Sequence, residues 1–180
     1  MPVQQGIVGP IPEGADAEAY DKLRRRVLWT MPSGLYVIGS RHGDRLNLMT
    51  ANWVTQVSFD PKRVGVAVEK EAVTHGLITE GGAFSVNVVS REDRAIVRKF
   101  TKPVEVDLTA STLNGFPFHA ARTGAPILDQ AVAYVDCAVA QAVDVGDHTL
   151  FLGEVVDAAF QQDEAVEVLR MEDTRMSYGG

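Results

Sequence analysis

Two β-rich stretches late in the chain constrain its fold more than any other feature. Ala131 to Val145 and Thr149 to Phe160 are long and dominated by apolar and β-branched residues, and only the turn Val145-Gly146-Asp147-His148 joins them. Such a pair reads as a long antiparallel hairpin. A hairpin alone is at best marginally stable in water, so further strands must join it. The sequence supplies them as Leu35 to Gly39, Leu48 to Phe59, Val64 to Val68 and Phe84 to Val88. Arg41 to Arg45, containing Gly43-Asp44, divides the first two, and Asp60-Pro61-Lys62 divides the second from the third. The Val64 run is apolar on both faces and predicts a buried strand. The run Phe84-Ser85-Val86-Asn87-Val88 alternates apolar with polar and predicts a strand with one wet face.

The helical signals are short. Asp16 is placed to cap a helix whose Tyr20, Leu23 and Val27 share one face, with Pro32 ending it. Thr74 to Glu80 predicts a second helix, Thr74 at the N-cap and Gly81 just beyond the end. Ser90 predicts the start of a third, with Asp93 three residues on. Ile96, Val97 and Phe100 are its apolar side and Pro103 its close. Residues 114–126, with Gly115, Pro117, Gly124 and Pro126, read as a loop. Residues 1–15 read as an irregular arm whose Val3, Ile7, Val8 and Ile11 rest on a surface, and 171–180 as a polar tail. The sum is a mostly β (α+β) chain, a β-barrel with short helical insertions rather than a doubly wound sheet.

Composition removes several functions. The formal charge of −7, from 17 basic and 24 acidic residues, opposes general nucleic-acid binding. The basic run Arg24-Arg25-Arg26 reads as the last turns of the first helix, complementing its dipole. Cys137 is the sole cysteine, so neither an intrachain disulfide nor a cysteine metal framework is available, and an apolar setting makes it a small buried hydrophobe. No apolar run approaches the roughly 18 residues of a membrane span, and no signal peptide is visible, which predicts a soluble, cytoplasmic protein. The chain has no G-x-G-x-x-G after a strand, no phosphate-binding P-loop and no G-x-S-x-G elbow. His42, His75, His119 and His148 are scattered without metal-ligand spacing, so no metal is expected.

What remains is a dense run of donors, Thr50-Ala51-Asn52-Trp53-Val54-Thr55-Gln56, followed by Lys70 and Thr74. A helix start offers free N–H groups and a positive dipole end, and a lysine adds a charge-assisted contact, so the set forms a plausible phosphate cradle without a glycine loop. Taken alone, the same residues also describe an ordinary strand and a capped helix, with Trp53 in the core and His148 on a surface turn.

The order of these motifs resembles the flavin reductase family. Asn47-x-Met49-Thr50-Ala51-Asn52-Trp53 carries the resemblance, followed by Ser58-Phe59-Asp60-Pro61, the valine-rich strand, Thr74 and Phe84-Ser85-Val86-Asn87-Val88. Gly146-Asp147-His148-Thr149-Leu150-Phe151-Leu152-Gly153-Glu154-Val155 completes it. The resemblance runs from about residue 30 to residue 160. It implies an FMN-binding split β-barrel over residues 30–165, preceded by the arm and short helix (1–29) and followed by the tail (166–180), and a homodimer. It also implies an FMN-dependent oxidoreductase, FAD being the other flavin that fits. NAD(P)H would be co-substrate, and an electron acceptor or a partner oxygenase would take the electrons.

Residue by residue, Thr50, Ala51, Asn52 and Trp53 match the segment that touches the flavin and its ribityl-phosphate chain. Val68, Glu69 and Lys70 match the strand end bordering the isoalloxazine, Thr74 a phosphate-side hydroxyl, and His148 a histidine near the flavin face where nicotinamide docks. Two departures stand out. Relatives often carry serine where this chain has Asn52. Lys70 is flanked by Glu69 and Glu71, which must point away from a phosphate carrying nearly two negative charges. A flavoredoxin-like electron carrier, a non-catalytic flavin- or haem-binding barrel, and a structural interaction module stay open as alternatives.

Overall fold

The computed structural model describes residues 9–102 and 104–176. Val3, Ile7 and Val8 of the arm, Pro103 and the end Tyr178-Gly179-Gly180 lie outside them. The chain divides into two compact units, one of residues 1–32 and 175–180, the other Ser33–Thr174.

The first unit is built on helix α1 (Ala17–Leu28). Asp16 caps it as expected, its Oδ1 accepting from the Ala19 N–H at 2.8 Å. Asp21 pairs with Arg24 and Arg25 at i+3 and i+4, so part of the basic cluster is neutralised on its own helix. Leu23 and Val27 on the apolar face are each more than half exposed.

The second unit holds the strands β1 (Tyr36–His42), β2 (Arg45–Ala51), β3 (Val54–Phe59), β4 (Lys62–Glu69) and β5 (Ala83–Val88). Four short strands follow, β6 (Val106–Asp107), β7 (Thr112–Leu113), β8 (Phe116–Ala120) and β9 (Pro126–Leu128), then the predicted long hairpin, β10 (Ala133–Asp144) and β11 (His148–Phe160). The main sheet is antiparallel, in the order β2-β1-β5-β10-β11-β4-β3. The hairpin is its spine, bent by bulges at Asp136/Cys137 and Val139/Gln141.

Connectivity dictates the shape of this sheet. β2 and β3 are its two opposite edges, yet only Asn52-Trp53 separates them in sequence. Three peptide steps span at most about 11 Å. The sheet must therefore curl until its edges nearly meet at this link. β2 and β3 do not pair there, and the result is a split barrel.

Four local expectations change. Leu48 to Phe59 is not one strand, because the chain breaks at Asn52-Trp53 to cross the split. Residues 114–126 are not a loop. Their glycines turn the chain between the short strands of a second sheet, β6-β7-β8-β9, with Gly115 and Gly124 in the left-handed region. β5 has no wet face, because the β9 segment covers its second side. Asn87 donates from Nδ2 to the Val37 carbonyl at 3.0 Å and accepts at Oδ1 from the Leu128 N–H at 2.8 Å, and Ser85 Oγ donates to the Pro126 carbonyl at 2.6 Å. Gly39 permits that approach, since a Cβ there would collide with the Pro126 carbonyl oxygen. Finally, the third helix is a single 3-10 turn, Ile96–Phe100. Ser90 is held in a bridge with Val168, and the Arg91 N–H donates to the Glu167 carbonyl at 2.9 Å. The predicted apolar side is buried all the same.

The barrel core gathers Ile38, Val66, Val68, Phe84, Cys137 and Phe151, with Ile78 from helix α2 (Val73–Gly81). Burial, and secondarily Asp136, pushes the Cys137 thiol up to about 12, so it stays an unreactive thiol at neutral pH.

Candidate functional site

The chemistry concentrates where β2 gives way to β3. Asn52 is buried, its Nδ2 3.5 Å from Ser33 Oγ and its Oδ1 without a hydrogen-bond partner. Ser33 can satisfy only one end of the amide, so whichever way the group turns one end is left over. An unsatisfied buried polar atom costs about 1–3 kcal/mol, a cost that the polar edge of a ligand or an ordered water would remove. The next side chain, Trp53, is 40% exposed. Its backbone carbonyl accepts from the Ala67 N–H at 3.0 Å, tying the link to β4. Its ring lies 4.8 Å from the His148 ring, tilted by 55°.

The β4–β11 register places the second part. Val68 stands opposite Thr149 and Glu69 opposite His148. The Lys70 N–H donates to the Asp147 carbonyl at 2.9 Å. His148 is buried, its Nδ1 2.7 Å from Asp147 Oδ1. An ionised carboxylate only accepts, so Nδ1 carries the hydrogen and the ring is held in one orientation. Lys70 Nζ reaches across to Asp144 Oδ2 at 2.8 Å. Asp144 also accepts from the Gly146 N–H at 3.0 Å. The hydrogen bond from Lys70 and then that N–H hold its carboxyl below the ordinary carboxylate range.

Three assigned residues take positions the sequence did not show. Thr74 is not the N-cap of α2. That position is Ala72, which offers no side-chain cap, and Thr74 lies inside the first turn, fully buried. Its Oγ1 accepts from Asn47 Nδ2 at 2.8 Å. Thr50 Oγ1 donates to the Val97 carbonyl at 2.6 Å. Alternation along β2 puts Thr50 on the face opposite Asn47, and so away from Thr74. Ala51 is buried in the barrel core. The geometry thus joins Trp53, Glu69, Lys70 and His148 directly, with Asn52 beside Trp53, while Thr50 and Thr74 flank β2 from opposite sides.

Sequence reasoning missed three participants. His75 Nε2 lies 2.8 Å from Thr149 Oγ1 and its ring 5.3 Å from that of Phe151, fastening the start of α2 to β11 beside His148. Asp147 orients His148, and Asp144 holds Lys70. No spacing rule links Lys70 to a residue 74 positions away.

These residues fit a flavin. The orphaned amide of Asn52 matches the mixed donor and acceptor edge of an isoalloxazine, Trp53 offers an apolar face beside it, and the uncapped start of α2 suits an anionic tail. Fold and site together define a split-barrel protein of the flavin reductase type. The model of the flavin reductase like domain matches residues 28–179, and the chain belongs to that family.

Among known proteins, the NADH:FAD oxidoreductase SgcE6 of Streptomyces globisporus superposes with a TM-score of 0.73 at 33% identity, over 89% of this chain and 93% of that one. The ferric-chelate reductase (NAD(P)H) of Archaeoglobus fulgidus is 36% identical over 82% of this chain and 86% of its own length. BorF, the flavin reductase component of a bacterial two-component tryptophan halogenase, has a TM-score of 0.68 at 32% identity, over 80% and 89% of the two chains. Other relatives are longer. The chain spans 58% of a high molecular weight rubredoxin from Moorella thermoacetica and 26% of a diflavin flavoprotein from Synechocystis.

Proposed function

We propose that this protein is an NAD(P)H-dependent flavin reductase that binds FMN at the split of its barrel and delivers electrons to an acceptor or a partner oxygenase. FAD is the other flavin the site suits. The observation that carries the reading is the buried, half-satisfied amide of Asn52 beside Trp53 and His148, in a chain whose relatives are named as flavin and ferric-chelate reductases. When bound, flavin would supply the redox chemistry, with a reduced nicotinamide as the hydride source. The chain supplies binding and orientation. Asn52 pairs with the polar ring edge and Trp53 shields the ring. Thr50 borders the approach from β2 and Glu69 the ring from β4, while Ala51 and Val68, their side chains in the barrel core, offer only their backbone. Lys70 and the start of α2 face the phosphate, and Thr74, its hydroxyl held by Asn47, supports that turn from inside. His148, steadied by Asp147, positions the nicotinamide.

The test is anaerobic stopped-flow. Protein equilibrated with FMN and mixed with NADH or NADPH is expected to bleach the blue flavin band in a saturable reaction. Failure to bind FMN at equilibrium with excess FMN overturns the reading. Binding without bleaching by either nicotinamide replaces a reductase with an electron carrier.

The same proposal includes a homodimer. Edge strand β3 leaves Phe59 86% and Val57 46% exposed, and exposed apolar residues on an unpaired sheet edge favour burial against another chain. Sedimentation is expected to give about twice the 19.5 kDa chain mass, and a monomer at micromolar concentration would refute it. Among the described residues no helix is long and apolar enough to cross a membrane. A cytoplasmic setting, where NAD(P)H is at hand, belongs to the proposal.

A further inference from the structure

Lys70 is the residue of this site whose charge matches a flavin phosphate, and the structure shows it already engaged. Its Nζ lies 2.8 Å from Asp144 Oδ2, and its backbone N–H is fixed by the Asp147 carbonyl. Asp144 is an exposed carboxylate, its side chain 74% accessible, steadied by its second oxygen accepting from the Gly146 N–H in the same β10–β11 turn. The pair links the end of β4 to the end of β10. The local charge points the same way. Asp144 holds the ammonium, and Glu69 and Glu71 flank the lysine in sequence, so carboxylates outnumber cations in this stretch. A dianionic phosphate arriving here must displace Asp144 from Lys70 or share the cation with it, and in either case it approaches a surplus of negative charge. The isoalloxazine contacts at Asn52 and Trp53 carry no such penalty.

We propose that Asp144 is a specificity-determining residue which, by holding Lys70, suppresses selection for the flavin phosphate. The protein then takes flavins chiefly by their ring, discriminates weakly between riboflavin and FMN, and exchanges flavin as a substrate rather than retaining it. This inference rests on the proposed flavin site.

The experiment measures dissociation constants for FMN and riboflavin by quenching of flavin fluorescence at low salt, on the full chain. The unaltered protein is expected to prefer FMN by less than about tenfold, a difference of 1.4 kcal/mol or less. Asp144→Asn keeps the shape of the carboxylate, and its amide oxygen can still accept from Gly146, but it removes the charge. It is expected to tighten FMN about three- to fivefold and leave riboflavin within twofold. Lys70→Met is expected to bring the two flavins to near-equal affinity, in the presence or absence of the Asp144 change.

An unchanged FMN-to-riboflavin ratio in Asp144→Asn, with Lys70→Met weakening FMN, overturns the role of Asp144 and leaves the site assignment standing. An FMN preference in Asp144→Asn that survives the addition of Lys70→Met overturns the phosphate-side role of Lys70 and the inference with it. Loss of both flavins from the unaltered protein overturns the flavin site itself. Unchanged riboflavin affinity in the variants shows that they are folded, so a null result on FMN is decisive.

Discussion

Asn87→Ala is expected to lower the unfolding free energy by about 3 kcal/mol, summing the roughly 1–3 kcal/mol cost of each buried group left without a partner. Asn87 is fully buried on β5. Its amide joins three elements, donating to the Val37 carbonyl on β1, accepting from the Leu128 N–H at the end of β9, and lying 3.4 Å from Ser85 Oγ. Alanine leaves the Leu128 N–H unpaired in a region too closely covered for bulk water, and opens a small void. For a domain of this size the midpoint of thermal unfolding should fall by roughly 6–12 °C. Urea titration of both proteins checks the value. A loss under about 1 kcal/mol would mean that the β9 segment is held by its apolar residues alone.

His148→Ala is expected to slow reduction of bound flavin by NAD(P)H about tenfold, equivalent to about 1.4 kcal/mol in the barrier, while FMN stays bound. His148 is buried between the Trp53 ring and the Asp147 carboxylate, so it is preset rather than free to search for its partner. The groups assigned to the flavin ring and phosphate, Asn52 and Lys70, lie on other elements. Removing the Asp147 carboxylate by Asp147→Ala should slow reduction in the same direction and by less, since the ring remains but loses its orientation. Stopped-flow absorbance at fixed flavin occupancy reads both variants. Reduction at the unaltered rate in His148→Ala removes the residue from the reaction.

The contrast between Thr74 and Lys70 shows how far the sequence alone carries such a site. Both were legible as candidates because helix-start chemistry and a nearby lysine are local signals. Their state was not legible. Thr74 is inside the helix with its hydroxyl held by Asn47, and Lys70 is held by Asp144, and both partners come from other strands. His75 was invisible for the same reason, since only the docking of α2 on β11 brings it to Thr149.

The sequence by itself determined β1, β4 and β5, the long hairpin and the first helix cap, because period, turn residues and capping chemistry act over a few neighbouring residues. It also set the family resemblance, as an ordered series of short motifs. The tertiary structure alone decided that β5 is covered on both faces, that residues 114–126 pair into a second sheet, and that Asn52-Trp53 is the link across a split barrel. These outcomes depend on which strands become neighbours, and strand pairing is fixed by contacts between residues dozens of positions apart, such as Asn87 with Leu128 and Lys70 with Asp144, which no local pattern encodes.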